Sequence, residues 1–177
     1  MKIRHAFFAL VLVAATLTIF AKPESKGPAP DAILKNLYKA HDASKGPFAE
    51  RQNRAVLDRY FTKELADLIQ MDAVQADGEV GAYEFDPLYE SQAPEAEDFK
   101  VGKVYWGGIL KHAGDEPEDG LAIVEVTFKE RGKSRSIPFR FQQEPDKTWK
   151  IADISYSDGR TLAGLIRDAY PVEKSDK

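Results

Sequence analysis

Apolar positions recur along this chain at two different spacings. In the first half they return every three or four residues: Leu34, Leu37, Tyr38 and His41, then Val56, Leu57, Tyr60 and Phe61, then Leu65, Leu68 and Ile69. That spacing predicts three helices, each with one apolar stripe. Asp31 is placed to cap the first, Ser44-Lys45-Gly46-Pro47 breaks it, and the second is expected over 47–60. Thr62 caps the third, which Asp77-Gly78 ends. From Phe99 the period becomes two, which predicts strands over 99–110 (with a bend at Gly107-Gly108), 121–129, 134–142 and 148–156. Thr161 then caps a last helix with the stripe Leu162, Leu165, Ile166 and Ala169, stopped by Tyr170-Pro171. Between the helical and strand halves, residues 79–98 are rich in Gly, Pro and acids but carry Tyr83, Phe85 and Tyr89, so a long loop anchored by aromatics is expected.

The turns set a register. A two-residue loop at Arg131-Gly132 puts Val126 opposite Ile137 and Val124 opposite Phe139, collecting the apolar side chains on one face. For the next hairpin, a three-residue loop, Pro145-Asp146-Lys147, pairs Phe141 with Ile151 and Phe139 with Asp153. A two-residue loop would slip the register by one and move every side chain to the other face. The preferred register aims Asp153 at the apolar face and places Ile154 and Tyr156 on the outer one.

Met1-Lys2-Ile3-Arg4-His5 followed by the apolar run 6–21 has the layout of a cleavable secretory signal peptide, and the run is shorter than the roughly 20 residues a membrane span needs. Residues 22–30 mix Pro, Gly and charge and are expected to form a flexible linker, 31–170 a single domain and 171–177 a disordered tail. Export is therefore expected, into a bacterial periplasm, without stable membrane insertion after cleavage. With no cysteine in 177 residues, disulfides, thiolate chemistry and lipid attachment through an N-terminal cysteine are excluded. Loss of the first 21 residues removes two cations and no acids, so the formal charge of −4 becomes −6. A net acidic domain argues against nucleic acid as a partner.

Three helices, a loop, a four-stranded antiparallel meander and a short C-terminal helix make an α+β arrangement, helices packed on one face of a curved sheet. This order, the closing Trp149-Lys150-Ile151-Ala152-Asp153-Ile154, and Phe85-Asp86-Pro87-Leu88 with Ser91-Gln92 in the preceding loop resemble the nuclear transport factor two-like cone. They are similar in particular to exported bacterial families of unknown function on that fold, over roughly residues 33–166. The resemblance implies a cone-like domain, in a superfamily that includes isomerases and dehydratases, ligand-binding proteins, dimerising domains and immunity proteins that bind toxins, so it selects no single activity.

Candidate chemistry is sparse. A carboxylate at Asp153 on an apolar concave face would have a raised pKa and serve as a general base, with Tyr38, Tyr60 or Tyr105 as a hydroxyl donor, the division of labour seen in ketosteroid isomerase. Alternatively Asp153 bonds backbone amides or Arg140. Tyr105 and Trp106, beside the glycine bend, are placed either to line a ligand mouth or to pack in the core. Asp86-Pro87 is expected to fix a turn. His41 and His112 have no second histidine at ligand spacing, so no metal site is expected. The acidic stretch 115–119 lacks the order of a calcium loop, and Lys129, Arg131, Lys133 and Arg135 make one hairpin end basic. Neither nucleophile elbow, phosphate loop nor dinucleotide fingerprint occurs, and no cofactor is expected. Two readings stay open: an exported, non-enzymatic domain that binds a protein partner, in an immunity-type role among others, or a small ligand, through Tyr105, Trp106, Asp153 and Asp86; or an isomerase or lyase using Asp153 and Tyr38. Homodimerisation through the outer sheet face is a further expectation.

Overall fold

The computed structural model describes residues 22–107 and 118–171. The expected signal segment, Gly108, His112, most of the acidic stretch 115–119 and the tail beyond Pro171 lie outside them. The described chain runs α1 (Pro30–Asp42), α2 (Arg54–Tyr60), α3 (Lys63–Gln75), β1 (Ala96–Trp106), β2 (Leu121–Glu130), β3 (Lys133–Gln143), β4 (Trp149–Ile154) and α4 (Leu162–Ala169). The strands form one antiparallel sheet in the order β1-β2-β3-β4. The class is α+β, as the two periods imply.

Local chemistry explains most boundaries. Thr62 caps α3 by accepting from the Leu65 N–H at 3.4 Å, and Thr161 caps α4 by accepting from the Gly164 N–H at 3.1 Å, each satisfying an amide that has no partner within its helix. α1 departs from expectation. Its N-cap is Ala29 and Pro30 opens the helix, while Asp31 sits in the first turn and pairs with Lys35 at 2.9 Å. Proline at that position gives up an N–H that would be unpaired anyway. α2 is also shorter than predicted, because residues 47–52 form turns and the helix begins only at Arg54. Residues 22–29, expected as a linker, meet the β3–β4 turn, where Lys26 N–H donates to Lys147 O at 3.1 Å and Gln143 Nε2 to Glu24 O at 2.6 Å.

The first hairpin has the expected register, Val126 opposite Ile137 and Val124 opposite Phe139. Arg131 and Gly132 carry the positive φ values, 49° and 76°, that a two-residue turn of this hand demands. In the second hairpin Glu144 N–H donates to Thr148 O at 2.8 Å across the expected three-residue loop, and Phe141 faces Ile151. Beyond that pair the expectation fails. A bulge in β4 at Ala152 places Asp153 opposite Arg140 and Ile154 opposite Phe139. One extra residue turns Ile154 inward, where it is fully buried, and releases Asp153 from the apolar face. Tyr156 is buried as well, so neither residue offers the outer face a docking patch. That face instead exposes Thr127, Ser136, Arg140 and Gln142.

The core lies between the concave sheet face and the helices. Val124, Phe139, Phe141 and Ile151 meet Leu34 and Leu37 of α1, Leu57 of α2 and Ile69 of α3, all fully buried. Tyr38 and Phe139 stand edge to face at 6.1 Å. Phe61 and Thr62 bridge to Ile151, with Thr62 N–H donating to Ile151 O at 2.9 Å, which covers part of the β4 edge. The 79–98 loop docks as its aromatics imply, with Leu88 and Tyr89 buried.

Candidate functional site

An open groove of about 700 Å³ lies between the C-terminal end of α1, the 46–51 turn and the 78–92 loop. Its floor begins with His41, which occupies the last turn of α1 on the helix's apolar side. A polar ring in that position needs a partner, and it has one 45 residues away: His41 Nε2 lies 2.6 Å from Asp86 Oδ2. An ionised carboxylate only accepts, so Nε2 carries the proton and donates. The ring's other nitrogen, Nδ1, is buried without a hydrogen-bond partner. Asp86 is held on its other side, Oδ1 accepting from the Leu88 N–H at 2.9 Å, and its main chain closes the loop by donating to Ser91 O and accepting from Glu90 N–H, both at 2.8 Å. The turn expected at Asp86-Pro87 is present, and its carboxylate does a second job by fixing His41.

A second carboxylate, fully buried, stands behind the opposite wall. Asp72, on the inner face of α3, is 0% exposed. It accepts from Arg51 Nη1 at 2.9 Å, from the Ala82 N–H at 2.6 Å and from the Tyr170 hydroxyl at 3.2 Å. One charge thereby ties the 46–51 turn, the loop and the end of α4 together, and a buried carboxylate is tolerable because all three donors reach it. Gly81 has to be glycine here, because a Cβ would collide with the Asp72 carboxylate. Gly46 is constrained similarly: a Cβ would sit 3.0 Å from His41 Cα.

Aromatic rings finish the walls. Phe48 packs between His41 and Phe61 with ring centroids at 6.4 and 5.7 Å, Tyr83 lies 6.1 Å from Phe85, and Phe85 stands edge to face on Tyr156 at 5.0 Å. The Tyr83 and Tyr156 hydroxyls are buried and unpartnered. Burial pushes the Tyr83 hydroxyl up to about 12 against the lowering effect of the Arg51 guanidinium, and Tyr156 is likewise raised, first by burial and then by Tyr83 and Asp153. Both are neutral donors at any physiological pH, with no acceptor supplied by the fold.

The other sequence-derived candidates lie elsewhere. Asp153 Oδ1 accepts from the Ile154 N–H at 2.9 Å and the Ala163 N–H at 3.1 Å, so its carboxylate is tied to the first turn of α4. The Tyr38 hydroxyl donates to Leu88 O at 2.6 Å, and burial, with Tyr89, Asp86 and Asp42 nearby, raises its pKa well above the usual value. These two groups do not converge. Tyr60 is buried in the core. Trp106 packs on Trp149 at 5.5 Å, whereas Tyr105, next in sequence and on the opposite side of the strand, lies under Lys103 Nζ at 5.0 Å. Of the proposed site residues, only Asp86 belongs to the groove. Arg51 and Asp72 carried no sequence signal of their own, Tyr83 only that of a loop-anchoring aromatic, while His41 had one, a titratable ring on an apolar stripe.

Among the described residues no group of three or more His, Asp or Glu side chains is placed to hold a metal ion, and no helix is long and apolar enough to cross a membrane. No family model matches the chain, and no curated protein matches it. Among solved structures, the chain is similar to a phospholipid-binding protein from Ralstonia solanacearum, solved in complex with a phospholipid, at 18% identity over 79% of this chain and 73% of that one, with a TM-score of 0.33.

Proposed function

We propose that this protein is an exported, non-enzymatic binding domain of the cone-like class and that the groove between α1 and the 78–92 loop is where it holds its ligand or partner. One observation carries this reading: aromatic walls and the Asp72 and Asp86 hydrogen-bond networks meet at an open groove among whose lining residues the fold leaves the Tyr83 hydroxyl and His41 Nδ1 unpartnered. Buried polar atoms without partners are rare in a finished core, and completion by a ligand is one of the explanations open to them. The general-base reading has no comparable support, since Asp153 and Tyr38 are spent on backbone groups in separate places.

A screen of neutral aromatic fragments against the chain starting at Lys22, followed by amide chemical shifts, tests the site. Shifts should cluster at Ala82, Tyr83, Phe85 and Leu88. Fragments that bind only between α1 and the sheet, or a screen with no hits, would remove the proposal. Export is tested separately by expressing the full chain in a bacterium and weighing the product: a periplasmic chain shortened by about 21 residues is expected from the signal layout, and an intact cytoplasmic chain would refute it.

A further inference from the structure

We infer that the occupant of the groove is a lysine or arginine side chain presented by an extended segment of a partner protein; this rests on the groove being the binding site. The charge of its lining decides the sign. Three carboxylates, Glu79, Glu84 and Asp86, line the groove against a single guanidinium, Arg51; Asp86 is engaged by His41 at 2.6 Å and Arg51 by Asp72 at 2.9 Å, which leaves Glu79 and Glu84 to set the sign. An anionic ligand would have to compete with Asp72 for Arg51 and approach the other acids unscreened. A cation meets Glu79 and Glu84 directly, and the Phe48, Tyr83 and Phe85 rings that line the groove favour it further, because aromatic quadrupoles attract a partly desolvated ammonium or guanidinium.

The shape decides between a free cation and a polypeptide. The groove is open along one side rather than closed around a small molecule, and its lip is the exposed run Gly78-Glu79-Val80, in which Val80 is 66% exposed. An apolar side chain standing in solvent beside acids and aromatic rings has the make-up of a protein-binding surface: apolar contact at the lip, charge at the rim, a ring-walled slot for one long side chain. A lysine or arginine fills such a slot with its methylene stem against the rings and its head among the carboxylates.

The test uses the chain from Lys22 onward with three probes: a capped penta-arginine peptide, its penta-glutamate counterpart, and spermidine. Binding is read by calorimetry and by the amide shifts of Ala82, Tyr83 and Phe85. The arginine peptide should bind and move those amides, weakening about fivefold or more between 50 and 300 mM salt as exposed charge attraction is screened. Glu79→Gln with Glu84→Gln, both exposed and so harmless to folding, should weaken it by about fivefold. Glu95→Gln with Glu97→Gln, the same change in net charge away from the groove, should leave it within about twofold. Equal losses from the two double variants would mean that the peptide follows overall charge, and would overturn the inference. So would tighter binding of the glutamate peptide. Spermidine matching the peptide and displacing it would replace the partner segment by a free cation. Neutral aromatic fragments seated in the groove while the arginine peptide is ignored would defeat this inference and leave the binding site standing; failure of both classes would defeat both.

Discussion

The two sides of α1 face very different surroundings. On the side toward the sheet, Leu34, Leu37 and Tyr38 meet Val124, Phe139 and Phe141 in a dry layer, and the one hydroxyl there, that of Tyr38, is satisfied by Leu88 O. At its far end His41 looks onto a groove whose charges are networked and whose remaining polar atoms, the Tyr83 hydroxyl among them, are left over. A curved sheet with helices on one face invites the expectation of a pocket between helix and sheet. Here that space is occupied by side chains, and of the buried unpartnered polar atoms His41 Nδ1 and the Tyr83 hydroxyl lie on the loop side, while Trp149 Nε1 and Arg135 Nε lie elsewhere. A fold's usual cavity is thus only a place to look; the leftover polar groups say more about where a ligand would stabilise the structure.

Substitutions can separate the two regions. Phe139→Ala should cost about 3–5 kcal/mol of stability through the cavity it leaves, yet below the melting temperature it should leave fragment binding in the groove unchanged, as urea unfolding and amide shifts would reveal. Asp72→Ala should cost a similar amount, about 3–5 kcal/mol, because it strands the Arg51 charge and the Ala82 N–H. Unlike Phe139→Ala, it should also abolish groove binding. Were Asp72→Ala to leave the groove competent, the carboxylate would not be what holds the loop.

The tyrosines supply a pH test. Tyr38, Tyr83 and Tyr156 have raised pKa values in the folded protein, Tyr83 about 12. Between pH 10 and 12 the folded state therefore keeps protons that the unfolded chain has lost, so stability is complete below pH 10 and falls as pH rises, by about 1.4 kcal/mol per pH unit for each such hydroxyl. Chemical unfolding from pH 8 to 11.5 should show this decline, and Tyr83→Phe should make it shallower. Asp153→Ala should cost about 1 kcal/mol, the worth of an amide acceptor at a helix start, and loosen the first turn of α4 in hydrogen exchange without touching the groove. Smallest is the effect of Tyr83→Phe at neutral pH, a gain of up to about 1 kcal/mol from removing a buried unpaired hydroxyl; a loss of that size instead would mean that the hydroxyl has a partner in solution.

The sequence by itself determined the elements and most of their pairing. Helical and strand periods are local, turn residues such as Arg131-Gly132 and Pro145-Asp146-Lys147 dictate loop geometry, and Thr62 and Thr161 cap the helices that follow them. Only the tertiary structure decided where the polar residues went. The bulge at Ala152 became favourable because it buries Ile154 and lets Asp153 reach Ala163, ten residues on, and no two-residue period announces such an insertion. The pairs that build the groove, His41 with Asp86 and Arg51 with Asp72, span 45 and 21 residues. Each side chain taken singly looks like an ordinary solvated charge or a stray ring on an apolar stripe. Their meaning lies in who meets whom, and long-range contact between charged groups leaves no periodic trace in a single chain.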